Sequence, residues 1–94
     1  MTTSYFIQVT YDIGSNSLRL KLSMLLKYYG LHRIQFSVFQ GYLSQREIKL
    51  MAEEIESFSF SDEDSIQLIR LCQRCTQNIR LFGMKHKITE HLIF

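Results

Sequence analysis

Eight residues near the start of the chain, Tyr5-Phe6-Ile7-Gln8-Val9-Thr10-Tyr11-Asp12, leave little choice of local structure. They are rich in β-branched and aromatic types and stop at Ile13-Gly14-Ser15-Asn16, the pattern of a strand running into a turn. Side chains alternate across a strand, so Tyr5, Ile7, Val9 and Tyr11 share one face and Phe6, Gln8, Thr10 and Asp12 the other. The first face is apolar enough to bury against helices. The second is half apolar and ends in a carboxylate. An ionised Asp at a strand mouth either forms a turn by bonding backbone two residues on, or needs a cation, proton or metal as partner.

Helical spacing follows at once. Leu18, Leu22, Leu25 or Leu26, and Tyr29 recur with the helical period. Ser15 or Ser17 caps that helix, and Gly30 stands where a left-handed C′ residue belongs. Arg19 and Lys21 lie in its first turns, where the helix dipole disfavours cations. That placement is either a solvated basic face or a face waiting for an anion.

His32 to Leu43 is β-prone again, but twelve residues are long for one strand, so the stretch is read as a hairpin turning near Phe36-Ser37. Ser44-Gln45-Arg46-Glu47 matches a capping box, and Ile48, Met51, Ala52 and Ile55 supply the buried stripe of a second helix. Ser57 to Asp64 is polar punctuation whose acidic end reads as a solvated loop. Ser65 to Cys72 is a further strand, Ile79 to Gly83 a short one, and 84–94 a tail that begins basic and ends apolar. A βαββαβ order specifies an α+β ferredoxin-like sandwich, with both helices on one face of an antiparallel sheet. The domain is expected over 1–83, with the 84–94 tail as a partner-binding extension. The other sheet face would be bare, with Gln8, Thr10 and Asp12 on it and Phe6 to anchor a second sheet, which suggests a homodimer.

Composition narrows the classes. Hydrophobic residues make up 46% and charged residues 21%, as in ordinary folded proteins, and no apolar run is long enough for a membrane span. A cytosolic location is the default expectation. The net charge of +2 permits a polyanion partner without demanding one. Cys72-x-x-Cys75, ten residues, His86, four residues and His91 approach a Cys₂His₂ zinc pattern, but the central gap is short and contains strand-like sequence. Reduced thiols are the better reading.

Thr10-Tyr11-Asp12-Ile13 at the strand end, Gly30 after the first helix, Arg33-Ile34-Gln35-Phe36-Ser37-Val38-Phe39, Asp64-Ser65-Ile66, and Ile79 to Gly83 together resemble the small CRISPR-associated family called Cas-two. The resemblance runs from Tyr5 to Gly83. It implies a ferredoxin-like homodimer with packed sheet faces, in which Asp12 faces its twin and the pair holds one Mg²⁺ (or Mn²⁺). It also implies metal-dependent nuclease chemistry on single-stranded RNA or on DNA, with Asp12 and Tyr11 at the catalytic position. Finally, it implies a bridging role in spacer acquisition, between two dimers of the Cas-one integrase, with duplex DNA held by its backbone. The nucleic-acid contacts map onto Arg19, Lys21, Arg33 and Phe39; Lys21 stands where many relatives carry Arg, keeping the charge but losing the bidentate geometry. Two other readings stand beside this one: a ribonuclease toxin resembling virulence-associated toxin D, and a ferredoxin-like interaction module that binds no nucleic acid.

Overall fold

In the computed structural model, which describes residues 3–71, the β-prone start of the chain forms β1 (Ser4–Asp12). It lies between two antiparallel partners, β3 (Val38–Ser44) and β4 (Ser65–Leu71), and β2 (His32–Gln35) pairs with the far edge of β3. The sheet order is β2-β3-β1-β4, with α1 (Asn16–Tyr28) and α2 (Gln45–Glu56) in the two crossovers. This is the ferredoxin-like βαββαβ arrangement.

Both helices start and stop for local reasons. Ser15 is the N-cap of α1, its hydroxyl accepting from the Leu18 N–H at 3.2 Å. At the other end Gly30 takes φ +92°. The Gly30 N–H then bonds the Lys27 carbonyl at 2.9 Å and the Leu31 N–H the Leu26 carbonyl at 3.1 Å, the paired bonds of a Schellman stop. For α2 the expected capping box is present: Ser44 Oγ accepts from the Glu47 N–H, and the Glu47 carboxylate accepts from the Ser44 N–H.

The core lies on the helix side of the sheet. Ile7, Val9 and Tyr11 bury there with Phe39 and Leu43, against Leu22 and Leu26 of α1 and Met51 and Ile55 of α2. Leu18, Leu25 and Tyr29 pack half-buried at the margin, so the expected stripe of α1 holds. Truncating a fully buried leucine such as Leu26 to Ala would cost about 2–5 kcal/mol. No helix among the described residues is long and apolar enough to cross a membrane.

The hairpin turns at Phe36 and Ser37, with Gln35 opposite Val38. Two-residue hairpin loops usually adopt primed turns, which need positive φ, yet no non-glycine residue here has it. The mismatch coincides with a register shift between Arg33 and Gln35, where Ile34 is the extra residue and is buried.

The second sheet face departs from expectation. It is not bare along its length: Phe6 is only 2% exposed, its ring meeting Tyr42, its cross-strand partner, edge-to-face at 5.1 Å. Gln40 is equally buried and donates to Gln8 Oε1 at 2.6 Å. Exposure rises along β1 to Asp12, which is open to solvent. The Phe6–Tyr42 ring contact and the Gln40–Gln8 amide pair both join directly opposed residues of β1 and β3, whose side chains lie close together on a sheet. The expected strand at Ile79 to Gly83, the 84–94 tail and the Cys72, Cys75, His86, His91 pattern lie outside the described residues.

Candidate functional site

Asp12 is the last residue of β1, opposite Ser65 at the start of β4. Among the described residues its carboxylate takes no hydrogen bond. It looks into an open cleft of about 790 Å³ between the β1–α1 loop and the loop before β4. Glu63, Asp64 and Lys21 line the same cleft. Asp64 is already occupied: Oδ1 accepts from the Gly14 N–H at 3.1 Å and Oδ2 from the Ser61 N–H at 2.9 Å. Those two backbone donors hold its carboxyl below the usual Asp range. No set of three or more His, Cys, Asp or Glu among the described residues is arranged to hold a metal ion. Among the described residues Asp12 and Glu63 are the carboxylates of this cleft that take no hydrogen bond, so one chain suits Mg²⁺ only if waters and a carboxylate brought by a second copy complete the shell.

Tyr11 immediately precedes Asp12 but points the other way. It is buried in the helix-side core, stacked at 6.3 Å on Phe39, and its hydroxyl donates to the Phe36 carbonyl at 3.3 Å. Its backbone N–H bonds the Ser37 carbonyl at 3.0 Å. Tyr11 thus fixes both residues of the hairpin tip to the end of β1.

Arg19 joins the same region from α1. Its Nη1 donates to the carbonyls of Ile13 at 2.7 Å and Gly14 at 3.3 Å, the two residues after Asp12. The guanidinium carbon then sits 5.7 Å from the centroid of the Phe36 ring. Arg33 lies 5.2 Å over the Phe39 ring, its cross-strand partner. Phe39 itself has no solvent exposure, so what reaches the surface at this position is the guanidinium it carries.

Lys21 parts company with the two arginines. Residues two apart on a helix do not face each other, and Lys21 reaches instead towards the loop before β4, its Nζ 4.6 Å from the Phe58 centroid. The expected cationic group is therefore two: Arg19 and Arg33 at the hairpin end, Lys21 across the Asp12 cleft. Two participants escaped the sequence reading. In the sequence Asp64 reads as part of a solvated loop and Phe36 as a turn position, each entering the resemblance only within a longer run and neither as a site residue. For Phe36 the available signal was its chemistry, since a large aromatic is not what a two-residue turn requires.

Residues 5–79 match the family described as CRISPR associated protein Cas2, the Cas-two proteins named above. The chain is 40% identical over 68 residues to the CRISPR-associated endoribonuclease Cas2 1 of Archaeoglobus fulgidus, covering 72% of each chain. It is 38% identical over 68 residues to the CRISPR-associated endoribonuclease Cas2 of Korarchaeum cryptofilum, covering 72% of this chain and 73% of that one. Among solved structures, a hypothetical protein from Thermus thermophilus superposes with a TM-score of 0.71 at 28% identity, covering 88% of this chain and 96% of the other. A structure described as cas2 gives 0.61 at 28% identity, covering 72% and 75%. The chain belongs to the CRISPR-associated Cas2 family.

Proposed function

We propose that this protein is a CRISPR adaptation subunit that dimerises, holds duplex DNA by its phosphates and bridges Cas-one integrase dimers. The observation that carries the reading is the fixed pair of guanidinium groups, Arg19 over Phe36 and Arg33 over Phe39, at the end of the sheet that also presents Asp12. Arg19 is already anchored through Nη1, so Nη2 and Nε remain for a phosphate at little further cost in side-chain entropy. Phosphate contacts position a duplex without reading its bases, which suits a protein that accepts any invading sequence. The Phe39 ring supports this contact indirectly by holding Arg33, and Lys21 adds charge from across the cleft.

A second reading follows from the relatives named endoribonucleases. In a dimer joined through the exposed end of the open sheet face, Asp12 from each copy would hold one Mg²⁺ or Mn²⁺. Bound there, the ion would supply Lewis-acid polarisation of a phosphodiester. Tyr11, with its hydroxyl on the Phe36 carbonyl, would keep the hairpin tip in register beside it.

Salt dependence separates the bridge from the enzyme. Each phosphate neutralised contributes about −0.9 to the slope of log K against log salt, so Arg19→Ala or Arg33→Ala, losing two charges per dimer, should flatten that slope by up to about 1.8. Both variants should lower spacer integration by the reconstituted integrase complex, whereas Asp12→Ala should leave duplex affinity and integration intact. Integration abolished in Asp12→Ala, with dimerisation and duplex binding unchanged, would favour the enzyme over the bridge.

A further inference from the structure

The hairpin tip carries a side chain that the fold does not use. Phe36 is 69% exposed, although both flanking strands end beside it and the core lies on the far side of Tyr11. Its backbone is held firmly, with the carbonyl accepting from Tyr11 and the next carbonyl, that of Ser37, accepting from the Tyr11 N–H. Nothing about a turn with negative φ at both positions calls for an aromatic ring. The ring is nevertheless accompanied by Arg19, itself tied to the carbonyls of Ile13 and Gly14. The result is an exposed aromatic face on a rigid mount, with unengaged guanidinium donors beside it and the Asp12 mouth one loop away.

We infer that Phe36 is a stacking platform for an unpaired nucleobase, with Arg19 taking the adjoining phosphate, so that the hairpin tip selects single-stranded over paired nucleic acid. This rests on the reading of the protein as a nucleic-acid binder but adds a substrate distinction that phosphate contacts alone do not make. The chemistry is general: every base has a π-face, and exposed aromatics interleaved with cations are how sequence-tolerant single-strand binders hold their ligand. A base inside a duplex is stacked on its neighbours and cannot lie flat on Phe36. Only a strand end, overhang or unpaired segment can.

The test compares the full chain with Phe36→Ala on three probes of equal length: a mixed-sequence single strand, the same strand with abasic sites throughout, and a blunt duplex. Removing one stacking aromatic should weaken single-strand binding roughly 5- to 150-fold. Blunt-duplex affinity should change less than about twofold, since phosphate contacts carry it. The abasic strand should bind the wild type no better than the intact strand binds Phe36→Ala. Phe36→Trp should restore single-strand affinity, and because the chain has no other Trp, base stacking should quench its fluorescence directly. Equal losses for single strand and duplex, full wild-type affinity for the abasic strand, or dissociation of the dimer by Phe36→Ala would each overturn the inference. A duplex affinity insensitive to salt, with the single-strand discrimination intact, would instead remove the bridging reading and leave the stacking platform standing.

Discussion

Asp64 reaches across fifty residues of sequence to take the Gly14 N–H on one carboxylate oxygen, while its other oxygen takes the Ser61 N–H. A single side chain thereby ties the loop that follows Asp12 to the loop that enters β4. The tie is ionic in character, because two N–H dipoles converge on the charged form.

Its pH dependence has a defined sign. Both bonds lower the folded-state pKa, so the stabilisation is complete above the ordinary Asp value of about 4 and is lost as pH falls through the lower folded value. Asp64→Asn should melt below the wild type at neutral pH, and the gap should close as acid protonates the native carboxyl. Thermal melts across that range check it; a gap that persists unchanged at the acid end would show that the clamp is not ionic.

Tyr29 and Glu54 join α1 to α2, the phenol donating to Glu54 Oε2 at 2.5 Å. That bond to a carboxylate, with smaller help from desolvation and from the charge of Glu54, raises the Tyr29 pKa to about 12. The protonated phenol is the stabilising form, so its contribution is present below the unfolded value of about 10 and lost as pH rises through the folded one. Ultraviolet phenolate titration of the wild type minus Tyr29→Phe should show one tyrosine ionising near 12, and Glu54→Gln should bring it down. An unchanged midpoint in Glu54→Gln would remove Glu54 as the cause.

Gly41 is set by packing. A Cβ there would stand 2.7 Å from Leu31 Cδ2 and 3.2 Å from the Gly30 carbonyl oxygen, so the Leu31 side chain and the turn after α1 would have to shift to make room. Gly41→Ala should cost about 1–3 kcal/mol in chemical denaturation, the usual scale of overpacking. A loss below a few tenths of that would mean the Leu31 side chain simply swings aside.

The proposed metal site at Asp12 has its own test. If two copies share an ion there, Mg²⁺ should raise the melting temperature of the wild type and EDTA should reverse the gain, while Asp12→Asn should show neither response. A metal effect of equal size in Asp12→Asn would place the ion elsewhere.

Much of this molecule is legible before folding because the causes are local. Ser15, Ser44 with Glu47, and Gly30 set the helix ends through groups within six residues of one another. The alternation of β1 sends Ile7, Val9 and Tyr11 to the core whatever the neighbours are, and strand length calls for a turn near Phe36-Ser37, where the structure has it. The resemblance to the Cas-two proteins rests on the same short runs.

What needed the tertiary structure is whatever depends on residues far apart in sequence. Phe6 sits on the face expected to be bare, yet it is buried, and its ring meets that of Tyr42, the residue opposite it on β3. Lys21 and Arg19 are two residues apart yet serve opposite ends of the site, because helical rotation sends one to Phe58 and the other to Phe36. Asp64 looked like one charge in an acidic loop until the fold set it against Gly14. Local sequence determined where each element starts, stops and turns its apolar face. Which polar and aromatic groups meet between elements was decided by sheet register and helix rotation, quantities that exist only once the chain has closed on itself.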